Sequence, residues 1–174
     1  KGAKLVFRMS EKDIVFKGKI KQTGIYSFKD FYSFAYEWLR EEGYDVFEKK
    51  YSEKVKGDSK ELEIAWSAER EISDYFKFNI TMDWLILGMK TVEVQKDGKK
   101  EKMESGAMEI KFKAILVKDY EDRWENYPFW KFMRGIYERY IIKNRIDQYQ
   151  AKLFEELEEF IAQCKSFLAL EGLR

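Results

Sequence analysis

Along the first two thirds of the chain, apolar residues recur mostly at every second position, the spacing that puts alternate side chains on one face of a β-strand. In residues 15–22, Phe16, Gly18 and Ile20 share a face against Lys17, Lys19 and Lys21. Residues 61–72 set Leu62, Ile64, Trp66 and Ala68 against Glu61, Glu63, Ser67 and Glu69. Residues 74–87 set Phe76, Phe78, Ile80, Met82 and Trp84 against Tyr75, Lys77, Asn79, Thr81 and Asp83. One dry face and one wet face is the mark of an antiparallel sheet covered on one side. Residues 45–55 read as a further strand ending at the turn around Gly57-Asp58. Residues 90–117 read as a hairpin about Asp97-Gly98, a favoured tight-turn pair, whose return strand points Met108, Ile110, Phe112, Ala114 and Leu116 inward. The pattern predicts about six strands.

Two segments change period. After the first strand, Phe28, Phe31, Phe34 or Ala35, and Trp38 or Leu39 recur at helical spacing, with Ser27 placed to cap the start and Gly43 to end the helix. A second helical segment covers about residues 128–170: Pro128 suits a first turn, with Asn126 as a cap before it. One straight helix of that span would be about 64 Å long, against a diameter of roughly 40 Å for a compact domain of this size. It must break or protrude, and the break is expected at Asn144 to Asp147, where the charge pattern changes sign.

The stretch at residues 125–146 mixes aromatics with Lys131, Arg134, Arg139, Lys143 and Arg145. Phe129, Phe132, Met133, Ile136 and Tyr140 follow helical spacing, which assigns them to a buried face with a charged back. Two other readings compete: a nucleic-acid surface, which would need those aromatics exposed for stacking, and a basic amphipathic helix on a membrane surface. Beyond Ile146, Tyr149, Leu153, Leu157, Phe160, Cys164 and Phe167 repeat at threes and fours, with Glu155, Glu156, Glu158 and Glu159 on other faces. That stripe fits docking on the chain's own sheet, or pairing with a second copy or a partner in an assembly module.

Composition narrows the chemistry. Aromatics make up 17% of the 174 residues, and 33 Lys and Arg nearly cancel 32 Asp and Glu. A dedicated nucleic-acid binder carries a basic surplus, so nucleic acid is not the expected partner. There is no histidine and a single cysteine, Cys164, which removes His-based nucleophile pairs, cysteine zinc sites and an intrachain disulfide. No phosphate-loop or dinucleotide glycine pattern occurs, so no cofactor and no metal are expected, and no catalytic residue is assigned. An enzymatic reading would rest only on unassigned carboxylates and tyrosines. Asn79, Thr81 and Asp83 share one side of a strand and could hold a polar substrate, but they read first as a wet sheet face. The longest uncharged apolar run, Trp84 to Met89, is too short to cross a bilayer. A cytoplasmic location is expected. Residues 1–9 read as a tag or flexible N-terminus, with Met9-Ser10 as a natural start, and residues 10–174 as one α+β domain.

The order strand, helix, antiparallel meander and long terminal helix resembles the helix-grip domains of the START lipid-transfer and pollen-allergen type, over Asp13 to about Leu170. It departs from them in showing six strands rather than seven, one helix after the first strand where two are common, and a terminal segment nearly twice the usual length. The resemblance implies a curved sheet gripped by the C-terminal helical segment, with a cavity between them for an apolar small molecule or lipid. Its lining would be Trp66, Phe78, Met82, Trp84, Met108 and Phe112, covered by Phe132 and Ile136. The expected function is therefore non-catalytic binding of such a guest. The alternative is assembly, as a homodimer or with a partner, through Tyr149, Leu153, Leu157, Phe160, Cys164 and Phe167.

Overall fold

A computed structural model describes residues 11–121 and 128–172, the last two by backbone only. The expectations for residues 1–9 and for Asn126 lie outside the described residues. The chain is α+β, in the order β1 (Glu11–Tyr26), α1 (Phe28–Glu41), β2 (Asp45–Lys56), β3 (Ser59–Glu71), β4 (Phe76–Lys96), β5 (Lys99–Lys118), α2 (Pro128–Ile136), a π-helical turn (Tyr137–Ile141) and α3 (Lys143–Gly172). The strands form one open antiparallel sheet of order β1-β5-β4-β3-β2.

The sheet has five strands, not six. Residues 76–96 are one strand, and what reads as a turn at Gly88-Met89 is a bulge: the β4–β5 register shifts between Leu87 and Lys90, and Gly88 takes φ 62°. A glycine in the left-handed region lets a strand absorb an extra residue without ending. Opposite it, a Cβ on Gly106 would sit 3.0 Å from the Leu87 carbonyl oxygen and 3.2 Å from Met89 Cα. The turn at Asp97-Gly98 forms as expected, with φ 52° and 76°, both in the left-handed region that a type I′ hairpin requires.

The core lies between one face of the sheet and the helices α1 and α3. Leu62, Ile64, Trp66, Phe78, Ile80, Met82, Trp84, Met108, Ile110 and Phe112 are all buried there. Helix α1 starts where expected, with Ser27 Oγ accepting from the Asp30 N–H. It ends in a Schellman motif: Gly43 (φ 85°) donates to the Arg40 carbonyl at 3.0 Å and Tyr44 to the Leu39 carbonyl at 2.9 Å.

Helix α3 lies across β1 and β5 and against α1. Phe154 meets Phe16 edge-on with ring centroids 5.0 Å apart. A Cβ on Gly18 would come 2.8 Å from Ile161 Cδ1, so the helix approaches the sheet where a side chain is missing. On its other flank Phe160 stacks on Trp38 at 4.5 Å and Phe167 on Phe34 at 4.7 Å. A buried network fixes its rotation. The Arg70 guanidinium donates to Glu156 at 2.7 Å and lies 4.7 Å from the Tyr44 ring centroid, while the Tyr44 hydroxyl donates to the same carboxylate at 2.8 Å.

Candidate functional site

The structure splits the sequence-assigned residues into two groups. Trp66, Phe78, Met82, Trp84, Met108 and Phe112, assigned to a cavity lining, stand on the inner face of the sheet and are at most 2% exposed. They are packed against neighbours: Trp66 on Trp84 at 5.1 Å, Phe78 on Tyr149 at 6.2 Å, Phe112 on Phe160 at 5.8 Å. Their assigned cover does not meet them. Phe132 is 66% exposed on α2, and Ile136 is half-buried. The tail residues assigned to a partner are turned inward as well: Leu153, Leu157, Phe160 and Cys164 are fully buried on the chain's own sheet, with Tyr149 and Phe167 partly buried beside them. Burial pushes the Cys164 thiol well above its ordinary range. In the single chain these side chains pack into the core of their own sheet and helices.

The larger correction concerns the segment that leads into α3. Helical spacing assigns Phe129, Phe132 and Tyr140 to a buried face, yet they are 62%, 66% and 72% exposed, joined by Trp130 and by Ile141 at 68%. Helix α2 has no buried residue. The cause is the π-helical turn. The Ile142 N–H donates to the Tyr137 carbonyl at 3.0 Å, five residues back, which inserts one extra residue into the helical ladder. An added residue rotates everything before it by about 100° relative to α3. The break thus falls at Tyr137–Ile142, earlier than the expected Asn144 to Asp147. Ile142, buried, marks the return to core phase.

Polar side chains occupy the side of α2 that meets the rest of the protein. Arg134 and Glu138, one turn apart, reach a cluster at the end of the sheet. Lys118 Nζ lies 3.0 Å from Asp13, 3.2 Å from Glu138 and 3.6 Å from Glu11. Arg134 lies 3.6 Å from Asp119 and 3.7 Å from Glu11, and the Tyr75 hydroxyl donates to Glu138. Burial of Lys118 opposes its charge, but Asp13, Glu138 and Glu11 outweigh it and hold the ammonium above the ordinary lysine range. Tyr75 is pushed well up by burial and then by the Glu138 carboxylate. Ion pairs therefore tether α2, while Phe129 and Phe132 stay exposed.

The charges on the free side have one sign. From Pro128 to Ile146 the only carboxylate is Glu138, and it is turned inward. Lys131, Arg139, Lys143 and Arg145 are exposed, with the Arg139 guanidinium 5.6 Å from the Tyr140 ring centroid. Exposed Phe129 and Trp130 contact edge-on at 5.4 Å. Several large apolar side chains exposed along one short helical stretch are uncommon and mark an interaction surface. Sequence spacing alone missed this surface. Its one usable signal was that Glu138 is the single carboxylate between Pro128 and Ile146.

Comparison with protein-family models, with characterised proteins and with solved structures gave no match. No helix among the described residues is long and apolar enough to cross a membrane.

Proposed function

We propose that this chain is a non-catalytic lipid-binding domain that docks on an anionic bilayer surface through α2 and the π-helical turn. The carrying observation is the exposure of Phe129, Trp130, Phe132, Tyr140 and Ile141 on a stretch, Pro128 to Ile146, whose exposed charges are Lys131, Arg139, Lys143 and Arg145 among the described residues. An amphipathic helix with cations beside its apolar face lies in the headgroup plane and buries that face. Each cation near an anionic leaflet contributes about 1 kcal/mol, so the four supply about 4 kcal/mol, roughly a thousandfold in affinity over a neutral bilayer. Anionic lipid is concentrated on cytoplasmic leaflets, which agrees with the cytoplasmic location expected from the sequence.

Co-sedimentation with vesicles decides it. Binding is expected with phosphatidylserine-containing vesicles, weak binding with phosphatidylcholine alone, and a steep fall as salt rises. Equal affinity for both vesicle types, or none for either, would overturn the reading. Growth of particle mass with concentration in the absence of lipid would reassign the same face to a second copy.

A second reading keeps the interior guest that the helix-grip resemblance implies, supported by the element order and by one buried donor. Trp84 Nε1 has no hydrogen-bond partner in an aromatic cluster with Phe28, Phe31 and Tyr32. An apolar molecule with one acceptor atom would satisfy it. Native mass spectrometry of protein purified without detergent should then show added mass, and a bare chain mass would remove this reading.

A further inference from the structure

The outer face of the sheet, away from the helices, carries a feature independent of the α2 surface. The β1–β5 register sets Lys17 directly opposite Lys113 and Lys19 directly opposite Lys111. Like charges facing across a ladder destabilise it. Elsewhere on this face lysines are neutralised: Lys50 pairs with Glu63, Lys56 with Glu61 at 2.9 Å and Lys77 with Glu69 at 3.0 Å. Around the lysine quartet the acids are Glu109, shared between Lys21 at 3.4 Å and Lys111 at 3.6 Å, and Asp83, opposite Lys111 in the β4–β5 register. Among the described residues, Lys17, Lys19 and Lys113 form no ion pair within 4.0 Å, though Glu109 also feels the Lys19 charge.

The same residues border an open depression on the sheet. A hollow of about 560 Å³ is lined by the four lysines with Thr81 and Asp83 at its β4 side, over the backbone of Gly18 and Phe112. Neighbouring strands are about 4.8 Å apart and alternate residues about 6.7 Å along a strand. The four side chains therefore rise from the corners of a rectangle roughly 5 by 7 Å, on stems long enough to converge on one anion. Asp83 opposes one of these charges, so the hollow is suited to an anion of more than single charge. A lysine ammonium serves phosphate as a mobile point charge with three donors.

We propose that Lys17, Lys19, Lys111 and Lys113 bind a multiply charged phosphate group in this hollow, and that the two opposed lysine pairs are kept at some cost to stability for that purpose. The shared chemistry is the phosphate, free or carried on a lipid headgroup. The test is a titration of the full chain with inorganic pyrophosphate at physiological ionic strength, followed by amide NMR. Saturable one-to-one binding is expected, with shifts confined to residues 17–19, 81 and 111–113. Lys17→Gln and Lys113→Glu should each weaken it about tenfold or more, the effect of losing one charged hydrogen-bond donor. Lys113→Glu should also raise the Tm, because it gives Lys17 an opposite charge. No saturable binding at about 1 mM pyrophosphate, a range where even a 4 kcal/mol interaction registers, would overturn the proposal. So would unchanged affinity in both variants, non-saturating uptake, or a fall in Tm for Lys113→Glu. A second arm, run on Phe132→Ser protein to weaken the contribution of the α2 face, compares vesicles bearing phosphorylated inositol headgroups with phosphatidylserine vesicles. Preference for the former, lost in Lys113→Glu, assigns the phosphate to lipid; equal behaviour assigns it to a free anion.

Discussion

Helices α2 and α3 follow one another across the π-helical turn and the bend at Ile142, and both carry an apolar stripe with charges behind it, yet they use their stripes in opposite ways. Helix α3 places Leu153, Leu157, Phe160 and Cys164 at zero exposure on its own sheet. Helix α2 and the π-helical turn present Phe129, Phe132 and Tyr140 to solvent and meet the sheet end through Arg134 and Glu138. One inserted residue at the π-helical turn separates the two outcomes. An amphipathic pattern therefore records that a face seeks cover, while the phase of the helix decides whether that cover comes from the same chain.

Substitutions should separate the two helices sharply. The largest effect is expected for Phe160→Ala, which removes a ring stacked on Trp38 and touching Phe112: about 3–5 kcal/mol of stability, read from the denaturant midpoint. Recovery of wild-type stability in that variant would show that α3 is not seated as described. Arg70→Met comes next, since it leaves the Glu156 carboxylate and the Tyr44 ring without their shared cation; about 2–3 kcal/mol is expected from the same titration. Gly18→Val should cost roughly 1–3 kcal/mol by forcing Ile161 away, and Ile161→Ala should recover part of it in the double variant. At the bottom of the scale, Phe132→Ser on the free face should change stability by no more than about 0.5 kcal/mol while weakening vesicle binding severalfold. A loss of stability there as large as in α3 would erase the contrast.

The pH dependence should touch both anchors together. Tyr44 holds the α3 network and Tyr75 the α2 cluster, and burial followed by a neighbouring carboxylate raises both above the ordinary phenol range; burial raises Tyr26 and Tyr32 to about 12. A phenol whose folded pKa exceeds its unfolded value near 10 binds its proton more tightly when folded, so stability falls as pH climbs above that unfolded value. Lys118, also raised, contributes stability that is complete below the unfolded lysine value and lost as pH rises through the folded one. The signs agree: stability should drop steeply above about pH 10. With no histidine in the chain, it should stay level between about pH 6 and 8. Chemical denaturation across that range checks both halves.

Most of the sheet was legible because a period of two is hard to mistake when one face is fully dry. Ser27, Gly43 and Asp97-Gly98 were legible because each performs a local task that few residues can. Gly88 was misread because a left-handed glycine serves a bulge as well as a turn, and only the partner strand distinguishes them. The face of α2 was misread for a related reason. Helical spacing shows that a face is apolar but not what covers it, and neither Tyr137 nor Ile141 announces the extra residue. The lysine quartet was visible only as two separate alternating strands; cross-strand register, which brings Lys17 to Lys113, is not written in either strand alone.

Hydrogen–deuterium exchange of the full chain, with and without phosphatidylserine vesicles, tests the division between the two helices most directly. In solution, amides of residues 150–168 should exchange slowly and those of 128–141 quickly. Vesicles should slow exchange in 128–141 and leave 150–168 unchanged. Protection that grows along α3 instead, or an α2 equally exposed with and without lipid, would contradict the account.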